Sequence, residues 1–325
     1  MSDQFLSTGQ SACSILVPIY NGAAYIQRGL QSIISSARDI DEILIINDGS
    51  TDMSESEFTK VAEIDNRIRI FNRAHFGLVS TLNFGISECR NDLIARADID
   101  DTYYTNRIQT QLDFMVQNPS CAAVFSDYEI VGSNGKDLGV IPSPVSPIAT
   151  KLSLLLPRRT AHPSVMFRKS MVGHVGGYHE VDYPAEDLGL WIRLSKEYDL
   201  ASIPEVLVRY TVHQSSITSQ NRDLMRIKTH LLVTEILRDF ELKMIEEEAV
   251  HLWDRYAMSP YSTERKLLHL MDLYTLYKRI HTESFLKFIL YIFSTYRLWD
   301  LRYSFIVINL LKNRLARNHY RKYGK

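Results

Sequence analysis

Asp92-Leu93-Ile94-Ala95-Arg96-Ala97-Asp98-Ile99-Asp100-Asp101 is a short, mostly apolar run that ends in three carboxylates within four residues. The run reads as a strand buried on both faces. Three acids held close together repel one another, so something cationic must compensate them. Oxygen-only ligands favour a hard divalent ion such as Mg²⁺ or Mn²⁺. In an open α/β sheet, ligands bind at the carboxyl ends of strands, which is where these acids fall. A solvated turn is the simpler explanation for a lone Asp-x-Asp, but other segments here supply what a metal–diphosphate site needs.

Upstream, strand and helix patterns alternate. Ser14-Ile15-Leu16-Val17 is a first apolar run closed by Pro18, and Ile26, Leu30, Ile33 and Ile34 then recur at helical spacing. Glu42-Ile43-Leu44-Ile45-Ile46 is nearly continuously apolar, and Asn47 to Asp52 breaks it with turn and N-cap residues. Arg67 to Phe71 alternates as a strand nearer an edge, and Gly77 to Cys89 carries Leu78, Leu82 and Ile86 on one helical face. This alternation predicts a doubly wound, mostly parallel sheet flanked by helices. Beyond the acids, a helix should end near Asn118-Pro119, and strands should cover Ala122–Val131, Ser164–Phe167 and Val206–Tyr210. A hairpin turn is expected at Gly132–Gly135 and a helical face at Trp191, Leu194 and Tyr198. The division expected is a catalytic domain over 1–218, with residues 1–101 on the nucleotide side and 102–218 on the acceptor side, followed by a helical region over 219–325.

The 325 residues can bury a large core. Apolar and charged fractions of 45% and 23% are ordinary for a globular protein, and a formal net charge of −1 argues against a general nucleic-acid binder. Cys13, Cys89 and Cys121 form no C-x-x-C pair and read as buried reduced thiols. The polar N-terminus lacks the pattern of a signal peptide, and no stretch has the length of a membrane span. The expected location is cytoplasmic, with possible contact at the inner membrane face.

Candidate chemistry collects where successive strands end. Pro18-Ile19-Tyr20-Asn21-Gly22 offers a tyrosine to stack on a planar base, with a strand-to-helix turn as the alternative. Asp48 can accept from a base N–H or a ribose hydroxyl, or cap a helix. Arg73 can neutralise phosphate or contact the base. Asn83 and Gly85 can let a helix approach a nucleotide, although packing alone explains Gly85. No G-x-G-x-x-G loop and no Walker lysine loop is present, so phosphates would be held through metal.

Taken with Ala97-Asp98-Ile99-Asp100-Asp101, the segments Ser14–Gly22 and Ile46–Asp52 resemble the family-two glycosyltransferases of GT-A fold. Further matches are His162-Pro163-Ser164-Val165-Met166, Gly176-Gly177-Tyr178, Glu186-Asp187-Leu188-Gly189-Leu190-Trp191 and Arg209-Tyr210-Thr211-Val212-His213. The resemblance implies a nucleotide-sugar donor, a divalent metal and inversion at the anomeric carbon. It places Pro18, Tyr20, Asp48 and Arg73 on the nucleoside and Asp98 on the ribose or sugar, and Asn21 and Asn83 are further candidates for nucleotide-sugar binding. Asp100 would be the principal metal carboxylate, with Asp101 as a second candidate ligand and His213 as a third ligand or a diphosphate contact. Asp187 would be the catalytic base beside Glu186, and His162 and Trp191 would lie on the acceptor side. The partners implied are a UDP-sugar and a saccharide or lipid-linked saccharide for cell-surface polysaccharide or O-antigen. Two departures stand out: Leu188-Gly189 after Glu186-Asp187, and Asn47 before Asp48.

Two other readings of the same residues compete. Asp98-Ile99-Asp100-Asp101-Thr102 fits a phosphohydrolase D-x-D-x-T pattern, although after the fourth strand rather than the first. A catalytically inactive saccharide-binding homologue would keep the sheet without turnover. The tail from Phe285 to Lys325 mixes aromatic, apolar and basic residues, which suits either an anionic membrane surface or packing on the catalytic domain.

Overall fold

The structure, a computed structural model, describes residues 11–143, 150, 153–154, 160–214 and 216–239. Its first half is the expected alternation. Strands β1 (Cys13–Ile19), β2 (Glu42–Asn47), β3 (Ile68–Asn72) and β4 (Leu93–Arg96) are joined through helices α1 (Ala23–Ser36), α2 (Ser54–Ala62) and α3 (Leu78–Glu88). The four strands pair in parallel in the order β3-β2-β1-β4. Every residue of β1, β2 and β4 is buried, as their continuous apolar runs require of strands covered on both faces. The chain leaves β1 towards β2 and β3, then returns to the other side of β1 as β4. That reversal opens a crevice at the carboxyl ends of β1, β2 and β4.

The second half is mixed rather than parallel. β5 (Thr102–Tyr103), α4 (Arg107–Gln117), β6 (Cys121–Gly132), β7 (Asp137–Ile141), β8 (Met166–Arg168), α5 (Lys169–His174), α6 (Glu186–Glu197) and β9 (Asp199–Val212) follow in the chain. The sheet continues β4-β8-β6-β9-β5, with β7 paired to β6. β8 runs antiparallel to both β4 and β6, while β6 and β9 are parallel. β5 pairs Thr102 with Arg209 and Tyr103 with Val208, which ties the segment after the acids to β9.

Helix α1 lies directly on the acid loop. Ile26, Leu30 and Ile33 give it a buried face that includes Gly29. A Cβ on Gly29 would stand 2.0 Å from the Ile99 carbonyl oxygen, so only glycine permits this approach. Because the obstacle is backbone rather than a flexible side chain, Gly29→Ala should destabilise the fold by about 1–3 kcal/mol or more. Thermal unfolding measures this, and an unchanged midpoint would contradict the close contact.

Gly85 likewise packs on Leu16 and Ile46, so it serves helix–sheet packing. All three cysteines are free and buried, and burial pushes the Cys89 thiol up to about 12. Helices α7 (Ile217–Gln220) and α8 (Arg222–Asp239) begin the region expected to be helical. The rest of that region, including the tail from Phe285, lies outside the described residues. No described helix is long and apolar enough to cross a membrane.

Candidate active site

At the end of β1, Pro18 is buried in the ladder opposite Ile46, and Tyr20 emerges at the rim. Asp48 follows β2, and its two carboxylate oxygens accept from the backbone N–H groups of Phe76 (3.0 Å) and Gly77 (2.9 Å). Asn47 is buried and ties the strand ends together, donating to Asn72 Oδ1 and accepting from the Ser50 N–H. That accounts for an amide at this departure from the family pattern. Arg73 lies 4.3 Å over the Phe84 ring and donates to Ser80, so its guanidinium is held against α3. The Asn21 side chain accepts from the Thr51 N–H and bridges the β1 and β2 ends. Asn83 uses its amide at both ends on the backbone of Tyr178. These two asparagines hold loops together at the rim rather than presenting free polar groups.

The acids after β4 converge. Ligand atoms of Asp98, Asp100 and Asp101 lie within 4.8 Å of one another. Asp101 is buried; its Oδ1 accepts from the Thr211 N–H at 2.7 Å, and its Oδ2 has no hydrogen-bond partner among the described residues. His213 Nε2 sits 2.7 Å from Asp100 Oδ2. Arg28 from α1 donates to the Asp100 carbonyl at 2.7 Å. The Tyr103 hydroxyl accepts from the Asp98 N–H and donates to the Asp98 carbonyl. Burial and the neighbouring carboxylates push Asp101 well above the usual carboxylate range. Burial raises Asp98 as well, against the opposing pull of Arg96. A cluster of this kind takes up positive charge, and an orphaned buried oxygen among oxygen donors with one imidazole fits a divalent cation.

The Glu-Asp pair occupies the first turn of α6, as expected. Burial and the Asp187 charge push Glu186 up to about 8. Asp187 accepts from the Leu188 N–H at 2.7 Å; burial raises it to about 6, offset in part by that bond and by Arg96. Desolvation here outweighs the favourable helix N-terminus. The two carboxyls titrate as a pair, and Asp187, which accepts from the Leu188 N–H, is raised less than Glu186.

Gly189 has a structural cause. A Cβ there would stand 2.2 Å from Asp182 Oδ2, the oxygen that pairs with Arg193 at 2.7 Å. Arg193 also donates to the Gly177 carbonyl, so Gly189 lets α6 seat against the Gly176-Gly177-Tyr178 turn.

His162 Nε2 lies 2.7 Å from the Tyr178 hydroxyl, and desolvation followed by the Arg96 charge lowers it well below the usual histidine range. It is therefore neutral. Trp191 has no exposed surface and packs edge-on against His162 and Phe125. It backs His162 and cannot itself touch an acceptor in this conformation.

Several residues of the site were not singled out from sequence. Arg96 is 3% exposed, its Nη1 is 2.5 Å from Asp98 Oδ2, and its charge acts on both Glu186 and Asp187. One arginine inside a buried strand is itself a signal, since such a charge demands a partner. Tyr103, Arg28 and Thr211 act through tertiary contacts that leave no local pattern. His75, on the loop after β3, stacks on Tyr20.

Residues 14–172 match the domain described as Glycosyl transferase family 2. An uncharacterized glycosyltransferase of Haemophilus influenzae is 28% identical over 312 residues, covering 91% of this chain and 94% of its own. The UDP-Gal:alpha-D-GlcNAc-diphosphoundecaprenol beta-1,3-galactosyltransferase of Escherichia coli is 34% identical over 208 residues, 60% of this chain and 72% of that protein. The chain is a family-two glycosyltransferase. A solved structure of a mannosyltransferase from Pyrobaculum calidifontis, in complex with GDP-Man and Mn2+, shares its fold at a TM-score of 0.53 and 16% identity, covering 89% of this chain and 87% of that one. Membership of the glycosyltransferases sets the phosphohydrolase reading aside, and relatives named as glycosyltransferases favour an enzyme over an inactive homologue.

Proposed function

We propose that this glycosyltransferase moves a sugar from a UDP-sugar to a saccharide or lipid-linked saccharide acceptor of a cell-surface glycan. Transfer proceeds with inversion, with a divalent cation at the acid cluster and Asp187 as base. The observation that carries this is the acid cluster. Ligand atoms of Asp98, Asp100 and Asp101 lie within 4.8 Å of one another, with His213 on Asp100 and, among the described residues, an unpartnered buried oxygen on Asp101. Arg96, ion-paired to Asp98, supports a common neighbourhood with Glu186 and Asp187. The galactosyl donor and diphosphoundecaprenol acceptor in the name of the Escherichia coli relative support the substrate class, and the Mn2+ of the Pyrobaculum structure supports the cation.

Tyr20 and Asp48 would receive the nucleoside, with Asp98 oriented towards ribose or sugar. Asp100, Asp101 and His213 would hold the cation, which when bound stabilises negative charge on the departing diphosphate. The acceptor hydroxyl oxygen bonds to the anomeric carbon as the bond from that carbon to the diphosphate oxygen breaks. The hydroxyl proton passes to Asp187, whose ionised form is the competent one. Neutral His162 and the Glu186 side of α6 would face the acceptor.

A transfer assay with UDP-sugars, Mn²⁺ and a lipid-linked saccharide, read by UDP release and by the anomeric coupling of the product, tests this. An α-linked donor should give a β-linked product. Because Asp187 is raised to about 6 and works ionised, the rate should rise with pH through about 6 and not fall there. A product of retained configuration, or turnover with donors of another nucleotide and none with UDP-sugars, would overturn the corresponding part.

A further inference from the structure

One ring at the nucleoside side has no part in the transfer chemistry, yet it sits on the groups assigned to the nucleoside. His75 stacks on Tyr20 with ring centroids 4.0 Å apart and 21° between planes. Its Nδ1 is 2.8 Å from Asp48 Oδ2 and 3.0 Å from the Asp48 carbonyl oxygen. Both of those partners only accept, so Nδ1 carries the proton and donates to them. The imidazole thus presents a flat face to an aromatic platform and a ring N–H to a carboxylate. A nucleobase with a ring N–H would present the same two things.

The loop around this ring is fixed. The Arg73 N–H donates to the Asn47 carbonyl, and the Phe76 and Gly77 N–H groups donate to Asp48. A side-chain rotation of His75 would therefore free the Tyr20 face and the Nδ1 contact on Asp48 Oδ2 without moving the backbone. Tyr20 is 49% exposed and Asp48 only 3% exposed, and His75 Nδ1 takes the contact to Asp48 Oδ2 that a base N–H beside the Tyr20 ring would make.

We propose that His75 is a stand-in for the donor's nucleobase: it occupies the Tyr20 platform and the Asp48 acceptor, and the base binds by displacing it. This rests on Tyr20 and Asp48 receiving the nucleoside, as proposed above. His75 then lowers affinity for the donor and for the nucleotide product by the fraction of molecules in which it is engaged. It also admits only a base able to replace both the stack and the N–H donor.

The test is UDP binding to wild type and His75→Ala by calorimetry in Mn²⁺, with pyrophosphate as the probe that lacks a base. If the ring is engaged in about nine molecules of ten, His75→Ala should bind UDP about tenfold more tightly. Pyrophosphate affinity should not change. In the wild-type protein, the His75 ring resonances should move on saturation with UDP and stay in place with pyrophosphate, which tests the displacement without any variant. UDP affinity unchanged or weakened in His75→Ala, or a His75 ring that does not move with UDP, would overturn the proposal. Pyrophosphate binding with no UDP binding by either protein is a different failure: it removes the uridine donor itself, and the stand-in with it.

Discussion

Asp187→Asn should lower the transfer rate by about 10²–10⁴-fold while leaving UDP-sugar affinity nearly unchanged. Asparagine keeps the shape of the side chain and its oxygen can still accept from the Leu188 N–H, so the first turn of α6 should stay in place. What is lost is the basic oxygen. The loss should appear in kcat and not in KM for the donor, because Asp187 is assigned to the acceptor proton and not to nucleotide or cation. Removing the Asp187 charge also relieves the neighbouring Glu186, which that charge helps to raise. Any residual rate should therefore no longer follow a rise through pH 6. Parallel kinetics and calorimetry check this, and a variant that turns over normally would remove Asp187 as the base.

Asp100→Asn should abolish the dependence of donor binding on metal. In Mn²⁺, UDP affinity should fall by about 100-fold, since disturbing even outer partners of a bound metal commonly reduces its affinity 10–100-fold. With a chelator present, wild type and variant should bind UDP equally weakly. Asp100 is the acid whose carboxylate meets His213 and whose carbonyl is held by Arg28. The amide can retain a contact to His213 but supplies no negative charge, so the loop should survive while the cation does not bind. Calorimetry with and without EDTA makes the comparison. Equal UDP affinity of the two proteins in Mn²⁺ would take Asp100 out of the metal site.

The parallel half of the sheet was legible because local pattern determines it. The buried runs of β1, β2 and β4 are each nearly continuous in apolar residues, and the helices between them repeat at 3.6 residues. Their carboxyl ends then follow from topology, and with them the rim that carries Tyr20, Asp48 and Asp98. The mixed half was legible as elements but not as pairings. Nothing in the apolar Val165-Met166-Phe167 indicates that β8 will run antiparallel between β4 and β6, because register between distant strands is not written in the period of either one. β7 escaped notice because most of its residues are exposed and it contains Gly139. β5 has two residues and exists only through its pairing with β9.

The site divides in the same way. Asp98, Asp100, Asp101, Glu186 and Asp187 are clusters along the chain, so charge density marks them. Trp191 was placed on the acceptor side because it stands in the Glu-Asp segment, but the helical period turns it inward, onto Phe125 and His162. Asn21 and Asn83 look like ligand groups until their loop partners are known. Arg96 and His75 acquire meaning only from residues that folding brings to them: Asp98 with the α6 acids for one, Tyr20 and Asp48 for the other.

A crystal structure with an unreactive UDP-sugar and Mn²⁺, phased so that manganese gives an anomalous signal, tests the shared cleft most directly. The manganese peak should lie between Asp100 and Asp101 and touch the diphosphate, with the Asp187 carboxylate facing the anomeric carbon from the side opposite the diphosphate. Manganese bound elsewhere, or Asp187 turned away from the sugar on another face of the protein, would contradict it.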